Sequence, residues 1–513
     1  MATAASTTSR VLNSSLAQKI TGASEAAALI KSGEQVGMSG FTGSGYPKAV
    51  PIELAGRISE ANFRGRKFRV GVFTGASTGP ELDGALAMAD GINLRLPYQS
   101  DPETRKRINA GEMDYMDIHL SHVAQFVEYG FLGKLDVALI EVTAVLEDGR
   151  LVPSSSIGNN KTWIEQADRV ILEVNDWQPA ELEGMHDLYY GLQPPPHRQP
   201  IPLVHPGQRI GTPYLEVRPE KVVAIVPTNA PDRNSAFKSP DETSRRIAGH
   251  ILEFLNWEVQ KGRIPSNLLP LQSGVGNIAN AVLFGLEEGR FEGMTAYTEV
   301  IQDGMIRLLK SGKLTCVSAT AFSLSPEVLS EVNRDMADYR KRIVLRSQEI
   351  SNHPEIIRRL GVIAMNGMIE ADINGNVNST HVMGSRIQNG IGGSGDFARN
   401  GYLSIFMAPS TAQGGTISTI VPMVSHVDHT EHDVQVIVTE HGLADLRGLS
   451  PRQRARLIIE KCSSPQYKAL LTDYLDRSEK LSYGKHTPHL LSEALSWHNR
   501  YLRSGKMRPA DGD

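Results

Sequence analysis

The chain has 513 residues, and its 53 Lys or Arg against 57 Asp or Glu give a formal net charge of −4. This balance excludes a strongly basic protein built for nucleic acid or an anionic membrane surface. Hydrophobic residues make up 40% and charged residues 21%, which excludes a disordered or coiled-coil chain. The length predicts about two to four domains, and no apolar run reaches the roughly 18 residues of a membrane span.

The N-terminal 20 residues are rich in Ser, Thr and Ala and lack the apolar segment of a secretory signal. We expect residues 1–20 to be flexible. A cytoplasmic location fits, and a mitochondrial transit peptide is the alternative, which would place the protein in the matrix. The chain has two cysteines, Cys316 and Cys462, which excludes a disulfide framework and is compatible with a reducing compartment.

Short, nearly continuous apolar runs recur along the chain, and segments of helical periodicity follow them. Such runs are typical of strands buried on both faces of a mainly parallel sheet. They predict the α/β class, with strands in residues 69–74, 136–142, 169–174, 222–226 and 434–438.

A polar, Pro-containing stretch predicts a domain boundary near residue 230. The sequence thus predicts two unequal α/β domains, residues 21–230 and 231–513, with a cleft between them as the binding site. Just beyond the boundary, Ser239 is expected to cap a helix in which Pro240 lies in the first turn and Glu242 completes a capping box.

Three glycine-rich segments indicate loops shaped for close backbone approach: Gly40–Pro47, Gln272–Asn280 and Asn389–Phe397. The second opens a helical pattern, so its backbone N–H groups would face a phosphate, a carboxylate or a developing oxyanion. The third is dense enough in glycine to present amides in the same way. A tight turn, a plain helix cap and a mobile loop are the respective alternatives.

Two clusters carry side chains capable of chemistry. Glu299 follows the run 294–297 and would close a strand at the edge of the sheet where ligands bind. A carboxylate there is a candidate nucleophile or base, and a solvated surface charge is the alternative. The segment His426–Asp433 combines imidazoles and carboxylates, which suit zinc or iron. It contains no HExxH pattern, so a local hydrogen-bond network is the favoured interpretation and no metal is expected.

Several of these segments together resemble one known family. The matching segments are Gln272–Val282, Thr298–Gly304, Ile363–Glu370, Asn389–Asp396 and Ala444–Pro451, with Gly40–Pro47 and Gly75–Pro80 in the N-terminal half. In this order they resemble the acetyl-CoA hydrolase/transferase family, a group of class I CoA-transferases. The resemblance spans roughly residues 20–508, and several ordered matches are more specific than one glycine-rich loop.

The resemblance implies roles for individual residues. Glu299 corresponds to the nucleophile, Asn352 and Glu440 to polar residues that position it, and Arg233 to the arginine that holds the acid's carboxylate. The backbone amides of Val275 and Gly393 correspond to the oxyanion hole. The implied CoA-binding positions are Gly274, Val275, Gly276, Asn277, Ile278, Ile369, Asn389, Gly393 and Gln413. At Gln413 close relatives often carry Lys, which would contact CoA, so the resemblance does not extend to this one electrostatic contact.

The implied activity is ping-pong CoA transfer between succinyl-CoA or acetyl-CoA and acetate or succinate, through a glutamyl-CoA thioester. The same residues would give an acetyl-CoA hydrolase if water reached an acyl intermediate, and a non-catalytic CoA-binding module is a third alternative. CoA is expected as a substrate, with no tightly bound cofactor and no nucleic-acid or membrane partner. A homodimer is the expected assembly.

Overall fold

The computed structural model describes residues 10–234 and 239–509. Within them the strands are β1 Gln35–Met38, β2 Val70–Phe73, β3 Ile92–Leu96, β4 Asp114–Tyr115, β5 Val137–Val145, β6 Leu151–Pro153, β7 Arg169–Asn175, β8 His186–Asp187, β9 Val222–Thr228, β10 Leu271–Ser273, β11 Met294–Tyr297, β12 Val300–Gln302, β13 Leu314–Ala319, β14 Ala321–Ser323, β15 Ile343–Arg346, β16 Ile363–Gly367, β17 Glu370–Asp372, β18 Val377–Asn378, β19 His381–Val382, β20 Arg386–Ile387, β21 Leu403–Met407, β22 Thr411–Ala412, β23 Ile417–Ser418, β24 Ile420–Val421, β25 Val436–Thr439 and β26 Gly442–Asp445.

The α-helices of the same residues are α1 Ser14–Ala17, α2 Ala23–Ala28, α3 Ala49–Phe63, α4 Ala85–Met88, α5 Pro102–Asn109, α6 Val123–Glu128, α7 Asn160–Gln166, α8 Glu242–Gln260, α9 Asn277–Glu288, α10 Asp303–Lys310, α11 Pro326–Arg334, α12 Met336–Tyr339, α13 Gln348–Ser351, α14 Pro354–Leu360, α15 Ser394–Asn400, α16 Pro451–Cys462, α17 Pro465–Leu481 and α18 Ser496–Ser504. Neither described range contains a helix with both the length and the apolar character needed to cross a bilayer.

The chain divides into two compact units. Of the described residues, unit 1 comprises 10–234, 295–309 and 315–360, and unit 2 comprises 239–294, 310–314 and 361–509. The first break lies close to the boundary predicted near residue 230. The predicted second domain differs from unit 2, because Glu299 groups with the N-terminal half. The reason is strand pairing: β15 lies parallel to β8, so the segment around it packs on the N-terminal half.

Unit 1 contains a sheet in the order β4-β3-β2-β1-β5-β7-β9, with β6 paired to β5. The neighbours along this order are parallel, for example β1 with β5 and β5 with β7. The central strands β1, β2, β5 and β7 are buried along nearly their whole length, as the apolar runs in the sequence predict. The core on one face joins these strands to α3 through residues such as Leu54, Ile58, Val72 and Leu139.

Helix α3 begins at Ala49 because a buried carboxylate satisfies its first backbone donors. Glu173, on β7, accepts the N–H groups of Lys48 at 2.8 Å, Ala49 at 3.1 Å and Val50 at 2.7 Å. These donors have no intrahelical partner, so the contact fixes the start of the helix on the sheet.

Residues 10–20 differ from the predicted flexible terminus. Leu12 donates its backbone N–H to Val145 O at 2.8 Å, and Thr21 donates to Ile225 O at 2.9 Å. Helix α1 lies between these two anchors. The segment is therefore tied to β5 and β9, while residues 1–9 lie outside the described part.

Unit 2 is built on the parallel strands β25, β21, β16 and β10, with β26 antiparallel to β25 at the edge. Its core includes Phe406, Ile437, Ile458 and Leu471. Helix α8 starts at Glu242, with Asp241 rather than Ser239 as the capping residue: the Asp241 carboxylate accepts the N–H of Ser244 at 2.7 Å. The predicted capping box is therefore wrong, and the helix begins later.

Both cysteines are free and buried. Cys316 lies on β13 and is 8% exposed, whereas Cys462 ends α16 and is fully buried. Neither belongs to the groups that form the candidate site.

Candidate active site

Glu299 lies in unit 1, between β11 and β12. The backbone around it is fixed on both sides, because Thr298 donates to Ser318 O at 2.9 Å and Thr320 donates to Glu299 O at 3.0 Å. Its side chain is half-buried. The carboxylate thus stands at the end of a strand, on a backbone that cannot swing freely.

Asn352 contacts this carboxylate directly. Its Nδ2 donates to Glu299 Oε2 at 3.2 Å, and its Oδ1 accepts the Ser351 hydroxyl at 2.8 Å. A side-chain amide can present either its oxygen or its NH2 group to a neighbour. The Ser351 hydroxyl takes the oxygen end, so the donor end faces Glu299. Asn352 is fully buried, which holds this arrangement in place.

The short helix α13, which ends just before Asn352, is held on several sides. Its residue Gln348 donates its backbone N–H to Gly158 O at 2.8 Å and its side-chain amide to Leu120 O at 2.9 Å. The hydroxyl of Tyr297, two residues before Glu299, donates to Ile350 O. Strand β11 and helix α13 are therefore tied to each other, which fixes the separation of Glu299 from Asn352.

A cluster of apolar side chains adjoins the segment that contains Glu299. Val300 packs with Phe41, Ala76, Leu120 and Ala321, and Tyr98 packs against this cluster. Burial, together with the charge of the nearby Glu299, raises the pKa of Tyr98. Tyr98 therefore remains a neutral phenol beside the carboxylate. The sequence reasoning did not identify it, since a lone Tyr after a strand carries no distinguishing pattern.

Arg233 lies elsewhere in unit 1, and its side chain is 54% exposed. Its backbone N–H donates to Gly43 O at 2.9 Å, and its Nε donates to Glu81 Oε1 at 2.8 Å. The preceding residue, Asp232, is buried and accepts the N–H of Gly45 at 3.1 Å. Arg233 is thus anchored by its main chain, with its guanidinium turned toward Glu81.

The Gly40–Pro47 loop forms the surface against which Arg233 lies. Gly43 has φ of +84°, and a Cβ there would come within 2.8 Å of Arg233 O. Gly45 has φ of +62°, and a Cβ would lie 2.4 Å from Ser156 Oγ. Both positions combine a left-handed backbone with close packing, so only glycine fits. At these two residues the loop forms a tight turn, the alternative given above for this segment.

The Gln272–Asn280 segment lies in unit 2, where β10 turns into α9. Gly274 donates to Met365 O at 2.9 Å, and Gly276 caps the helix with φ of +124°. The side chain of Val275 is 61% exposed, and its backbone N–H has no acceptor among the described residues. Asn277 and Ile278 begin the helix, so their N–H groups also point out of it. The turn presents donors and the positive end of the helix dipole.

The Asn389–Phe397 segment, also in unit 2, ends in the start of α15. Gly392 has φ of +59°, and the buried Gly393 caps the helix. The hydroxyl of Ser394 donates to Ile391 O at 2.7 Å, closing the turn. Asn389 donates its side-chain amide to Gly390 O at 2.9 Å. The loop is therefore a fixed structure.

The remaining predicted CoA-contacting residues also lie in unit 2. Ile369 is half-buried and donates its backbone N–H to Asn378 O at 2.8 Å. Gln413 is exposed, with a left-handed φ of +49°. Glu440 follows β25, and its carboxylate accepts the Ser410 N–H at 2.8 Å and the Ser410 hydroxyl at 2.6 Å.

The His426–Asp433 segment forms hydrogen bonds within unit 2. Asp428 Oδ2 accepts the hydroxyl of Thr380 at 2.7 Å and the N–H of Ser379 at 2.8 Å. The buried ring of His429 lies 3.1 Å from Ser394 Oγ, next to Gly393. Among residues 10–234 and 239–509 there is no group of three or more side chains arranged to hold a metal ion. The segment supports the loop that contains Gly393.

The structure thus brings Glu299 and Asn352 together in unit 1, and joins Arg233 to Glu81 there. Two further residues were missed by the sequence reasoning: Glu81 and its partner Tyr46. Their signal was present, since Tyr46 lies inside one glycine-rich segment and Glu81 directly follows another, Gly75–Pro80.

Comparison with known families identifies the chain. The family model described as the acetyl-CoA hydrolase/transferase N-terminal domain matches residues 5–227, and that of the C-terminal domain matches residues 331–475. The chain belongs to the acetyl-CoA hydrolase/transferase family. The resemblance found in the sequence is therefore confirmed.

Curated members of the family are similar over nearly the whole chain. The succinyl-CoA:acetate CoA-transferase of Clostridium kluyveri is 52% identical over 98% of this chain and 92% of its own length. The propanoyl-CoA:succinate CoA transferase of Escherichia coli is 46% identical over 94% and 98%. The acetyl-CoA hydrolase of Saccharomyces cerevisiae is 46% identical over 96% and 95%. The prediction of an enzyme of the CoA-transferase or acetyl-CoA hydrolase type is confirmed.

Solved structures share the fold. The 4-hydroxybutyrate CoA-transferase of Porphyromonas gingivalis is 22% identical, with a TM-score of 0.60 over 90% of this chain and 98% of its own. RipA of Yersinia pestis is 23% identical, with a TM-score of 0.70 over 90% and 98%. The predicted α/β fold of the CoA-transferase type is confirmed.

Proposed function

We propose that this family member is a CoA-transferase that moves CoA between acetyl-CoA or succinyl-CoA and acetate or succinate. Glu299 is the nucleophile and carries CoA between the two half-reactions. The observation that supports the proposal most directly is the Asn352–Glu299 contact of 3.2 Å, made from a buried, oriented amide to a half-buried carboxylate. An amide donor places the carboxylate without neutralising it, as a carboxylate nucleophile requires.

The reaction would proceed through two acyl intermediates on Glu299. The carboxylate attacks the thioester carbonyl, the C–S bond breaks, and an acyl-glutamyl anhydride forms with CoA thiolate. The thiolate attacks the glutamyl carbonyl and expels the donor acid, leaving a glutamyl-CoA thioester. The acceptor carboxylate then attacks this thioester, and the thiolate attacks the resulting acyl carbonyl. The products are the new acyl-CoA and free Glu299. Atoms and charge balance without a further reactant.

Each attack creates a tetrahedral oxyanion, for which we assign the backbone amides of Val275 and Gly393 as donors. Val275 supports this role through its unpaired N–H at the turn into α9, and Gly393 through its place at the cap of α15. A single preorganised donor of this kind typically contributes about 3–4 kcal/mol to transition-state stabilisation. We assign Gly274, Gly276, Asn277, Ile278, Ile369, Asn389 and Gln413 to CoA contacts and Glu440 to positioning.

Hydrolysis is the competing activity, since the acetyl-CoA hydrolase of yeast belongs among the relatives. Water in place of the acceptor acid would release CoA from the same intermediates. Transfer is favoured because Arg233 offers an exposed guanidinium, which suits a carboxylate acceptor. Exclusion of water from the intermediates then determines how much thioester energy is retained.

The decisive experiment is intact-protein and peptide mass spectrometry after incubation with acetyl-CoA. We expect CoA to be attached to the peptide containing Glu299. Addition of succinate should discharge the adduct as succinyl-CoA. The matched control is Glu183→Gln, a half-buried carboxylate of unit 1 outside the proposed machinery, which should still accept CoA on Glu299. A protein that stays unmodified, or releases free CoA at the same rate without any acid, contradicts transfer by this route.

The assembly and compartment are inferred from the sequence alone. A homodimer in the cytoplasm is our proposal, with a mitochondrial matrix location as the alternative. The division at residue 230 likewise stays a prediction about independently folding domains. Light scattering of the purified protein tests the proposed homodimer, for which a mass of about twice 56.1 kDa is expected.

A further inference from the structure

We propose that Tyr46 and Glu81 are positioning residues that orient Arg233 for the free carboxylic acid substrate. The inference rests on the role given to Arg233 in the proposed function. It gives a structural role to two glycine-rich segments, Gly40–Pro47 and Gly75–Pro80. The reaction steps described above use neither segment.

The three side chains form a continuous relay. The Tyr46 hydroxyl donates to Glu81 Oε2 at 2.6 Å, and Arg233 Nε donates to Glu81 Oε1 at 2.8 Å. Both carboxylate oxygens of Glu81 are therefore engaged. Since each bond has a defined direction, the plane of the Arg233 guanidinium is set by a buried tyrosine two links away.

The relay leaves a specific edge of Arg233 available. Its Nε is occupied by Glu81, whereas the two terminal nitrogens have no acceptor among residues 10–234 and 239–509. A carboxylate binds a guanidinium best through two parallel N–H bonds. The terminal Nη1 and Nη2 pair provides such an edge. Glu81 also partly neutralises the cation, which favours an acid that binds, reacts and leaves over one that is held tightly.

Tyr46 can serve as the fixed end of the relay because it is fully buried. Two glycines make room for it: a Cβ at Gly79 would lie 2.1 Å from the Tyr46 hydroxyl oxygen, and a Cβ at Gly40 would lie 2.5 Å from Tyr46 Cβ. The Lys48 ammonium, 4.2 Å from the ring centroid, covers the aromatic face. Residues of the two glycine-rich segments thus enclose the side chain of Tyr46.

The protonation states agree with these hydrogen bonds. Burial and the neighbouring Glu81 raise the pKa of Tyr46, so it remains a donor. Burial of Glu81 acts to raise its pKa, but the hydrogen bonds from Tyr46 and Arg233 outweigh this and lower it. The carboxylate therefore stays ionised as the acceptor of both bonds.

The test is the kinetics of Tyr46→Phe, which removes one oxygen and leaves the ring. Acetyl-CoA is the donor, because its acyl group carries no carboxylate, and succinate is the acceptor. We expect the KM for succinate to rise about five- to tenfold, the size of the net contribution of one typical hydrogen bond. The KM for acetyl-CoA should stay within about twofold. A merely structural defect would change both constants or the thermal midpoint.

Tyr214→Phe is the matched control, since Tyr214 donates to the Glu183 carboxylate at 2.8 Å in the same unit, and no arginine of the described residues donates to that carboxylate. It should leave both KM values unchanged. Glu81→Ala covers the case in which Tyr46→Phe fails to fold. It should also raise the KM for succinate, and a fall would show that Glu81 merely competes with the substrate and would overturn the inference.

Arg233→Lys separates failure of the inference from failure of the proposed function. If Arg233→Lys raises the KM for succinate while Tyr46→Phe and Glu81→Ala leave it unchanged, the relay is refuted and the role of Arg233 stands. If Arg233→Lys leaves that KM unchanged as well, the proposed carboxylate site is itself refuted.

Discussion

The groups assigned to the proposed reaction differ in kind between the two units. In unit 1 the relevant groups are side chains, Glu299 and Asn352, held by a buried network of hydrogen bonds. In unit 2 the relevant groups are main-chain amides at Val275 and Gly393, set by glycine turns. A side-chain group is removed by one substitution, whereas a main-chain donor survives substitution unless the backbone moves. The two regions should therefore respond to opposite kinds of mutation.

The largest effect should come from Glu299→Gln, which keeps the shape of the side chain and removes the nucleophilic charge. We expect kcat to fall by at least about 10⁴-fold. Binding of acetyl-CoA, measured by calorimetry, should persist because the unit 2 turns are untouched. Turnover above about one per cent of the wild-type rate would mean that the reaction does not need this carboxylate.

The second-largest effect should come from Asn352→Asp, because it replaces a hydrogen-bond donor with a second carboxyl group about 3.2 Å from Glu299. Two carboxyl groups at this distance share a proton over a wide pH range. We expect about a hundredfold loss of kcat at pH 6, with partial recovery toward pH 8 as both groups ionise. A pH profile of kcat measures this. A loss that is equal at all pH values would point to disrupted packing.

Gly276→Ala tests the proposed role of the main-chain amides in unit 2. The position has φ of +124° and ψ of 178°, and a Cβ there meets nothing within 4 Å. The cost is therefore backbone strain alone, about 1–3 kcal/mol, and we expect about a tenfold loss of kcat/KM for acetyl-CoA. Val275→Ala is the control: its side chain is largely exposed, and its amide is retained, so less than about a threefold change is expected. Equal losses for both would contradict a main-chain role.

The smallest effect should come from Gln413→Lys, which adds a charge at an exposed position of unit 2. An exposed ionic contact contributes at most about 1 kcal/mol, so the KM for acetyl-CoA should fall about two- to fivefold. Added salt should abolish the gain. A gain that persists in high salt would indicate a contact other than charge attraction.

Local patterns predicted the elements well and their ends less well. The apolar run 169–174 corresponds to β7, Arg169–Asn175, because a continuous apolar run is a local property of the sequence. The start of α8 was misplaced because Ser239 and Asp241 are both good capping residues and only the packed structure selects one. The burial of Glu258 on the same helix could not be predicted from the sequence, because its partner Arg447 lies 189 residues away.

The same limit applies to the site. Residue type and position at a strand end made Glu299 a candidate, and the family resemblance supplied its role. The contact with Asn352 depends on the placement of α13, which is set by Tyr297, Leu120 and Gly158. Those residues come from three separate parts of the chain. The relay through Glu81 likewise joins residues that no spacing rule connects.

Burial of both cysteines has a practical consequence for assays. Burial raises the pKa of Cys462 to about 12 and also raises that of Cys316. Neither thiol is therefore available as a thiolate near neutral pH. A chromogenic disulfide reagent added to the folded enzyme should register the sulfur of liberated coenzyme and give little background from the protein. Continuous colorimetry thus follows leakage to water alone, because CoA that is exchanged onto an acid stays esterified and gives no colour.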